Sequence, residues 1–430
     1  MVPRVSKPST ASRVALACAI LAALAGCGSS VRGALSTRAS ANPSAQVGSG
    51  ACSTTVLGAL GSVAMRVYRE GVSSERTRSA LSFIARSSPL RKAVERGDPQ
   101  AARTAALALI ATGHMTSLRV QRGGTAAKSG GRVLADVGES DALAPLHGTI
   151  VGASGAPIGT FVASVWADSG FVQETGGIAQ GVTALRDNGH SIAASFELPP
   201  GELPGQGTLT VQGTDYAYTS FPAAAYPAGQ LRVYLLKSLS SIAPLCGATA
   251  RDTLVNTLRR VARLIYDGEA GRHALAQVHR VQNYRPLLRA VATRNPGATR
   301  RAIEHLLHEH VVRLRVSARG RLLSDVGGPY VLAPVRAPLH VNGRQVGSLE
   351  LSIQDDEGYK RLAGRLAGLK VLMYMGPRLV KNSLGPAPGT VPAHGTYHYR
   401  GRTFRVFTLH AKAFPSGPLR IVVLIPIPYS

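Results

Sequence analysis

The chain contains one sequence pattern twice, and this internal repeat constrains its fold more than any other feature. An offset of 197 places Pro89-Leu90 on Pro286-Leu287, and an offset of 188 places Leu231-Arg232-Val233 on Leu419-Arg420-Ile421. Between them, at offsets of 188 or 189, lie Asp136-Val137-Gly138 with Asp325-Val326-Gly327, Leu143-Ala144-Pro145 with Leu332-Ala333-Pro334, and Ser164-Val165 with Ser352-Ile353. These units are much longer than the roughly 20–50 residues of a solenoid repeat. The sequence therefore predicts two tandem homologous domains, residues 51–245 and 246–430.

Helical patterns come first in each copy, and they are clearest in the second. Apolar residues recur there at helical spacing, at Leu254, Leu258, Val261 and Ile265. A second helix is expected over about 271–281. A third is expected after Asn295-Pro296, where a capping asparagine precedes a proline that suits the first helical turn.

Strand patterns follow. Val312, Leu314 and Val316 alternate with arginines, which is the period of a strand. Residues 331–341 and 345–353 are predicted to form a hairpin through Asn342-Gly343, a type I′ turn signal, and Asp355-Asp356 is predicted to cap a short helix that runs to 367. The last strands are expected near 369–374, 396–400, 403–410 and 418–425. The predicted fold class is α+β, with N-terminal helices followed by an antiparallel sheet in each copy.

The hairpin residues resemble those of the extracytoplasmic Cache (PAS-like) sensor domain. In that family a strand–turn–strand with glycine and leucine precedes a hairpin of the form G-x-x-[IV]-G-x-[LV]. The matching positions are Gly320, Leu323, Gly343, Val346, Gly347 and Leu349 in the second copy and Leu134, Ile158, Gly159 and Phe161 in the first. The resemblance implies a PAS-like sheet and a sensory or ligand-binding role. Because no transmembrane helix or output domain follows, it also implies a partner signalling protein.

The N-terminus has the pattern of an export signal. Arg4, Lys7 and Arg13 precede an apolar run from Val14 to Ala25, which is too short to span a bilayer. The run ends in Leu24-Ala25-Gly26-Cys27, which resembles the lipobox of bacterial lipoproteins. This resemblance implies that residues 1–26 are removed and that Cys27 carries a lipid. The chain would then be anchored to the extracytoplasmic face of the cell membrane. Residues 27–50, rich in Gly, Ser and Ala, are predicted to be a flexible tether.

Two cysteines remain after the signal peptide and the lipidated residue are set aside. Cys52 and Cys246 stand at equivalent starts of the two copies, and an exported protein enters an oxidising compartment. We predict a disulfide between them. The alternative is two separate buried thiols, since free cysteine packs well as a small apolar residue.

The sequence offers no catalytic motif and no strong metal site. A GxSxG elbow, a P-loop and an HExxH motif are all missing. Glu304, His305, His308 and Glu309 have helical spacing for metal ligands, but a solvated helix face is the simpler interpretation. Asp355, Asp356 and Glu357 suit helix capping better than paired acid–base chemistry. We expect binding without catalysis, and neither a metal nor a cofactor.

Candidate ligand contacts lie in the second copy, where this fold class places a concavity between sheet and short helix. They are Tyr330, Arg336, His340, Tyr374 and Lys381. Arg336 could form a bidentate pair with a carboxylate or phosphate. The predicted ligand is therefore a small anionic or polar molecule. In the first copy His147 lies beside the position that corresponds to Arg336, and that copy is expected to be structural.

The net charge of +26, from 49 Lys+Arg and 23 Asp+Glu, is concentrated in the second copy. Residues 51–245 carry net +3 and residues 246–430 net +18. Nucleic acid is not an expected partner, because the chain is exported and its 5% aromatic content is low for a base-stacking surface. The sequence favours a lipid-anchored ligand-binding or sensory module. The alternatives are an envelope lipoprotein whose basic second domain binds an anionic polymer or membrane surface, and an envelope enzyme whose site the sequence does not reveal.

Overall fold

Each copy of the repeat folds into helices followed by two antiparallel sheets. The computed structural model describes residues 43–429 except 114, 124–130, 269, 308–310, 329–330, 387 and 415–416. Within it, residues 44–430 form one compact unit. The predicted signal peptide, Cys27 and tether residues 27–42 lie outside the described residues, as do Tyr330, His308 and Glu309. The α+β fold class predicted from the sequence is confirmed.

The first copy is called repeat 1. Its helices are α1 (Pro43–Ser73), α2 (Glu75–Arg86), α3 (Ser88–Arg96), α4 (Pro99–Gly113), α5 (Asp168–Ala179) and α6 (Leu239–Ile242). Its strands are β1 (Ser117–Arg122), β2 (Arg132–Gly138), β3 (Ala142–Leu143), β4 (Leu146–Val151), β5 (Pro157–Ser164), β6 (Trp166–Ala167), β7 (Val182–Asp187), β8 (His190–Ala194), β9 (Gln206–Val211), β10 (Thr214–Ala224) and β11 (Gln230–Ser238). A 3-10 turn, Ala243–Leu245, leads into the second copy.

The second copy, repeat 2, follows the same order. Its helices are α7 (Ala250–Gly268), α8 (Arg272–Gln282), α9 (Arg285–Ala292), α10 (Pro296–Leu306) and α11 (Asp356–Ala367). Its strands are β12 (Arg313–Ala318), β13 (Arg321–Gly327), β14 (Val331–Leu332), β15 (Val335–Val341), β16 (Arg344–Ser352), β17 (Gln354–Asp355), β18 (Lys370–Met375), β19 (Arg378–Asn382), β20 (Gly395–Tyr399), β21 (Arg402–Phe414) and β22 (Gly417–Ile427).

Sheet order is also repeated. The first sheets run β2-β1-β5-β4 and β13-β12-β16-β15. The second sheet of repeat 1 runs β8-β7-β11-β10-β9, and that of repeat 2 runs β19-β18-β22-β21, with β20 paired to β21. In repeat 2 the short two-stranded ribbon β14–β17 also joins the second sheet. Its counterpart in repeat 1, the ribbon β3–β6, forms a separate two-stranded sheet. The predicted single sheet per copy was therefore wrong. In each repeat a short ribbon and a helix, α5 or α11, lie in the sequence between the strands of the first sheet and those of the second, so the chain passes from one sheet to the other through them.

Several local predictions are confirmed by the described residues. The Asn295 side chain accepts the Ala298 N–H and caps α10. Asn342 and Gly343 both have positive φ, 50° and 76°, as a type I′ hairpin turn requires. The predicted tether needs correction at its end, because α1 already begins at Pro43 rather than after residue 50. Pro43 suits this first helical position, because its missing N–H would have no partner within the helix.

The two repeats share their largest hydrophobic core. Helices α1 and α7 pack there between the second sheets, and Leu60, Phe171, Leu258, Tyr359 and Phe407 are among its buried members. Each first sheet has a smaller core of its own with the three short helices before it. Cys52 on α1 is bonded to Cys246, with Cα atoms 5.6 Å apart and a sequence separation of 194. In the described part of the chain, no helix is both long and apolar enough to cross a bilayer.

Candidate functional site

A buried arginine without a counter-charge marks the candidate site, on the outer face of the second sheet of repeat 1. Arg186 lies on β7 and is 3% exposed. Its Nη2 donates to the carbonyl of Pro199, at 2.9 Å, and to that of Gly189. Its Nε and Nη1 are buried without a hydrogen-bond partner. Among the described residues Arg186 has no ion pair, so a full positive charge is compensated only by neutral carbonyl groups.

A second arginine lies directly opposite. Arg232 on β11 is the register partner of Arg186 on β7. It donates from Nε and Nη2 to the hydroxyl of Ser220, at 3.3 and 3.1 Å, and not to a carboxylate. Like charges directly opposite each other on adjacent strands destabilise a sheet. Two such guanidinium groups create a local demand for negative charge.

These arginines line a cavity of about 300 Å³. Its wall includes the β7–β8 turn, the ends of β10 and β11 and the segment 196–205, here called the flap; the lining residues are Arg186, Asp187, Asn188, Gly189, Glu202, Leu203, Gly205, Pro222, Gln230, Leu231, Arg232 and Tyr234. The flap is held down by Tyr234, whose hydroxyl donates to the Leu203 carbonyl at 2.9 Å. Asp187 and Glu202 reach the wall, but neither forms an ion pair with the two arginines in the described structure.

Repeat 2 has a different pair of side chains at the positions equivalent to Arg186 and Arg232. At the offset of 188, Arg186 corresponds to Tyr374 and Arg232 to Arg420. Tyr374 and Arg420 are also register partners, on β18 and β22. The Arg420 guanidinium lies 4.5 Å from the centre of the Tyr374 ring. This cation–π contact gives the single arginine an internal partner, so no anion is needed there.

The site residues predicted from the sequence do not meet in one pocket. Arg336 and His340 lie on β15 in the first sheet of repeat 2, whereas Tyr374 and Lys381 lie in its second sheet. Arg336 lines a shallow concavity of about 500 Å³ to which neither His340, Tyr374 nor Lys381 contributes. Its side chain is 80% exposed, and its Nε lies 3.0 Å from Glu350 Oε1. The ligand-binding role of these residues stays a prediction.

Lys381 is engaged by the acidic cluster at the start of α11. Its Nζ lies 3.2 Å from Asp356 Oδ2 and 3.1 Å from Glu357 Oε2. Hydrogen bonds from Lys360 and Lys381 hold the pKa of Glu357 below its usual value. Asp355 accepts the Gly358 N–H at 2.6 Å, which confirms its predicted role as a helix cap.

The metal candidates on α10 have other contacts. Glu304 accepts from Arg300 Nε at 2.9 Å. The His305 ring stacks on Tyr284, with ring centres 5.5 Å apart. Among the described residues, which exclude His308 and Glu309, no group of three or more His, Cys, Asp or Glu side chains is placed to hold a metal.

Sequence reasoning did not identify Arg186, although a signal was present. It is the only Lys or Arg between Arg132 and Arg232, inside an otherwise apolar strand pattern, Val182-Thr183-Ala184-Leu185. The two copies also differ in chemical type at this position, arginine against tyrosine. A difference between repeats at an otherwise shared strand position is thus the clue that points to this site.

Comparison with known proteins adds little to this geometry. No protein-family model matches the chain. No curated protein matches it either. Among solved structures, one similar chain is an extracellular ligand binding receptor from Desulfohalobium retbaense DSM5692, at 11% identity and a TM-score of 0.20. The match covers 39% of this chain and 40% of the receptor, so the chain spans less than half of the receptor's length.

Proposed function

We propose that this protein is a lipid-anchored, extracytoplasmic, Cache-like binding protein that holds a small anionic ligand at the Arg186 cavity and performs no catalysis. The observation that carries the proposal is the buried guanidinium of Arg186, which has two unpartnered nitrogens and no counter-charge. The lipobox-like sequence at Cys27 supports export and anchoring. The Cys52–Cys246 disulfide suits an oxidising compartment.

A bound carboxylate or phosphate would lower the free energy of this site in two ways. It would compensate the buried charge of Arg186, which costs several kcal/mol when unpaired. It would also relieve the repulsion between Arg186 and Arg232 across the strand pair. A cavity of about 300 Å³ is at the lower end of ligand pockets, so the ligand is small. The Tyr234 hydroxyl holds the flap in place beside this cavity.

The proposal is tested by titrating the purified chain with succinate and with inorganic phosphate at constant ionic strength, using calorimetry and thermal unfolding. Binding of at least one anion should saturate and raise the melting temperature. Arg186→Met should abolish that response. Thermal unfolding of Arg186→Met without ligand separates loss of binding from loss of the fold.

The matched control is Arg336→Met, which removes an exposed arginine of repeat 2. It should leave binding unchanged. Retained binding in Arg186→Met together with loss in Arg336→Met would move the site to the residues predicted from the sequence. A flat response of the parent protein to both anions would count against this ligand class.

A second candidate function is contact between the basic helices of repeat 2 and an anionic envelope surface. Arg285 and Arg289, one turn apart on α9, are both exposed, and neither has an ion pair among the described residues. We propose this contact as a complement to the lipid anchor. Replacing both by glutamine should weaken co-sedimentation of the chain with phosphatidylglycerol vesicles at low salt, and 1 M salt should remove the difference. An unchanged co-sedimentation at low salt would exclude it.

A further inference from the structure

Repeat 1 buries an aspartate for which repeat 2 supplies a lysine. Asp168, the first residue of α5, is 3% exposed. Its counterpart at the offset of 188 is Asp356, the first residue of α11, which pairs with Lys381. The residue of repeat 1 that corresponds to Lys381 is Ala193. Strand register fixes this equivalence, because Ala193 lies opposite Leu185 as Lys381 lies opposite Met373.

The charged groups around the Asp168 carboxyl are acidic. Burial first, and then the charges of Asp141 and Glu139, raise the pKa of Asp168 from 3.8 to about 6. Oδ1 of Asp168 is buried without a hydrogen-bond partner, and Asp168 has no ion pair within the described structure. Only the peptide dipoles at the start of α5 favour the ionised form.

The cations Lys237 and Arg260, on elements packed against α5, lie at the opposite end of this helix from Asp168. Lys237 donates to the carbonyls of Ala179 and Gln180, and Arg260 Nε donates to the Gln180 side chain. Both contacts are at the C-terminal end of this 12-residue helix, about 18 Å from Asp168 at 1.5 Å per residue. On α1, whose Gly71 lies against Trp166, Glu70 is paired with Arg365. Glu174, on α5 itself, is exposed and acidic.

Asp168 lies where the two sheets of repeat 1 are joined. Its N–H donates to the Asp141 carbonyl at 3.0 Å, at the end of the ribbon β3–β6. Ser164 of the first sheet donates to the Leu143 carbonyl of this ribbon at 2.6 Å. Ala144 N–H, next along the chain, donates to Ala224 of the second sheet at 3.0 Å. Any repulsion between Asp168 and the 139–141 turn therefore acts on the connection between the two layers.

We propose that Asp168 is a protonation switch on this connection. When the carboxyl is neutral, the ribbon and α5 stay closed on the 139–141 turn. When it ionises, the buried carboxylate is repelled by the exposed carboxylates of Asp141 and Glu139, and the connection loosens. A proton is the cation that fits, because the aspartate is almost fully buried and the described residues offer no metal-binding cluster there.

The sign of the effect follows from linkage. The folded chain keeps the Asp168 proton up to about pH 6, whereas an unfolded aspartate loses it near its ordinary value of 3.8. This stabilisation is full below about pH 4 and is lost as the pH rises through 6. The residue alone should raise the unfolding equilibrium constant on the order of 100-fold between pH 4 and pH 7.5.

The experiment compares denaturant unfolding of the full chain in detergent from pH 4.5 to pH 8 with that of Asp168→Asn, which cannot ionise. At pH 7.5 the variant should have an unfolding constant on the order of 100-fold below that of the parent, and at pH 4.5 the difference should shrink to about 6-fold, because the unfolded aspartate is already ionised there and the folded one is not. Amide exchange at Asp168, corrected for intrinsic rate, should accelerate above pH 6 in the parent alone. Identical pH dependence in both proteins would overturn the proposal.

Two further variants keep the test decisive. Asp356→Asn, the matched control in repeat 2, should leave the pH dependence above pH 5 in place, because Asp356 is already paired with Lys381. Ala193→Lys copies that lysine into repeat 1 and should remove the loss of stability above pH 6. If Ala193→Lys keeps the loss, the missing counter-charge is not its cause and the switch is excluded.

Discussion

The two repeats have the same strand order and differ in how they compensate charge. Repeat 2 carries net +18, yet two of its charged groups have partners within the repeat: Arg420 lies on Tyr374, and Lys381 pairs with Asp356. Repeat 1 carries only +3, yet Arg186 and Asp168 have no charged or aromatic partner among the described residues. Net charge is therefore a poor guide to the site. The informative quantity is the charge that the fold buries without compensation.

Not every charged position follows this division. In the first sheets, Arg119 pairs with Asp136 at 2.5 Å in repeat 1, and Arg315 pairs with Asp325 at 2.7 Å in repeat 2. Repeat 2 adds Arg313, which also binds Asp325 and lies 5.1 Å from the Phe414 ring. These pairs are compensated in both copies. Among the described residues, the buried charges of repeat 1 that lack an ion pair lie in its second sheet and at the start of α5.

The largest expected effect concerns the link between the repeats. Replacing Cys52 and Cys246 together by alanine should lower the free energy of unfolding by about 5 kcal/mol, because the bond closes a loop of 194 residues in the unfolded chain. Since both repeats contribute to one core, unfolding should remain a single transition. Denaturant titration followed by tryptophan fluorescence and by circular dichroism checks both points. Two separate transitions would mean that the repeats are independent and that their comparison is one between separate domains.

The next largest effect is a change in the free energy of unfolding that should have opposite signs at the equivalent positions Arg186 and Tyr374. Without ligand, Arg186→Met should raise the free energy of unfolding by about 1–4 kcal/mol, because it removes an uncompensated buried charge. Tyr374→Met should lower it by about 1 kcal/mol, because Arg420 loses its aromatic partner. Denaturant unfolding at constant pH measures both. A strong loss of stability in Arg186→Met would show that the bonds to Gly189 and Pro199 outweigh the buried charge, and the case for an anion site would fall.

Much of the architecture could be predicted because the periodic signal is local. The capping Asn295-Pro296, the Asn342-Gly343 turn and the helix that ends at 367 were all read from neighbouring residues. Helix α9 and strand β19 were missed. Helix α9 is only 8 residues long and lies between two stronger helices, so its period is hard to separate from theirs.

The site could not be predicted in the same way, because it depends on long-range pairing. Whether Arg186 is buried depends on the flap at 196–205, and its opposition to Arg232 depends on a register between strands 46 residues apart. Arg336 has the same side chain but lies on the exposed face of its strand, beside Glu350. The sequence period places residues on one of two faces, and it does not show which face a later segment will cover.

The smallest expected effect concerns the shared core, where the two repeats place different rings at one position. Tyr359 corresponds to Phe171, and both are fully buried. The Tyr359 hydroxyl donates to the Ala262 carbonyl at 3.1 Å, and burial raises its pKa, so it stays protonated. Tyr359→Phe should cost about 1 kcal/mol, the usual net value of one such hydrogen bond. Tyr429→Phe, which removes a half-buried hydroxyl bonded to Ala367, is the matched control and should cost less. Denaturant unfolding of both variants measures these changes in the free energy of unfolding. A change near zero for Tyr359→Phe would mean that the core accepts phenylalanine equally well in both repeats. The difference between the repeats would then be confined to their charged positions.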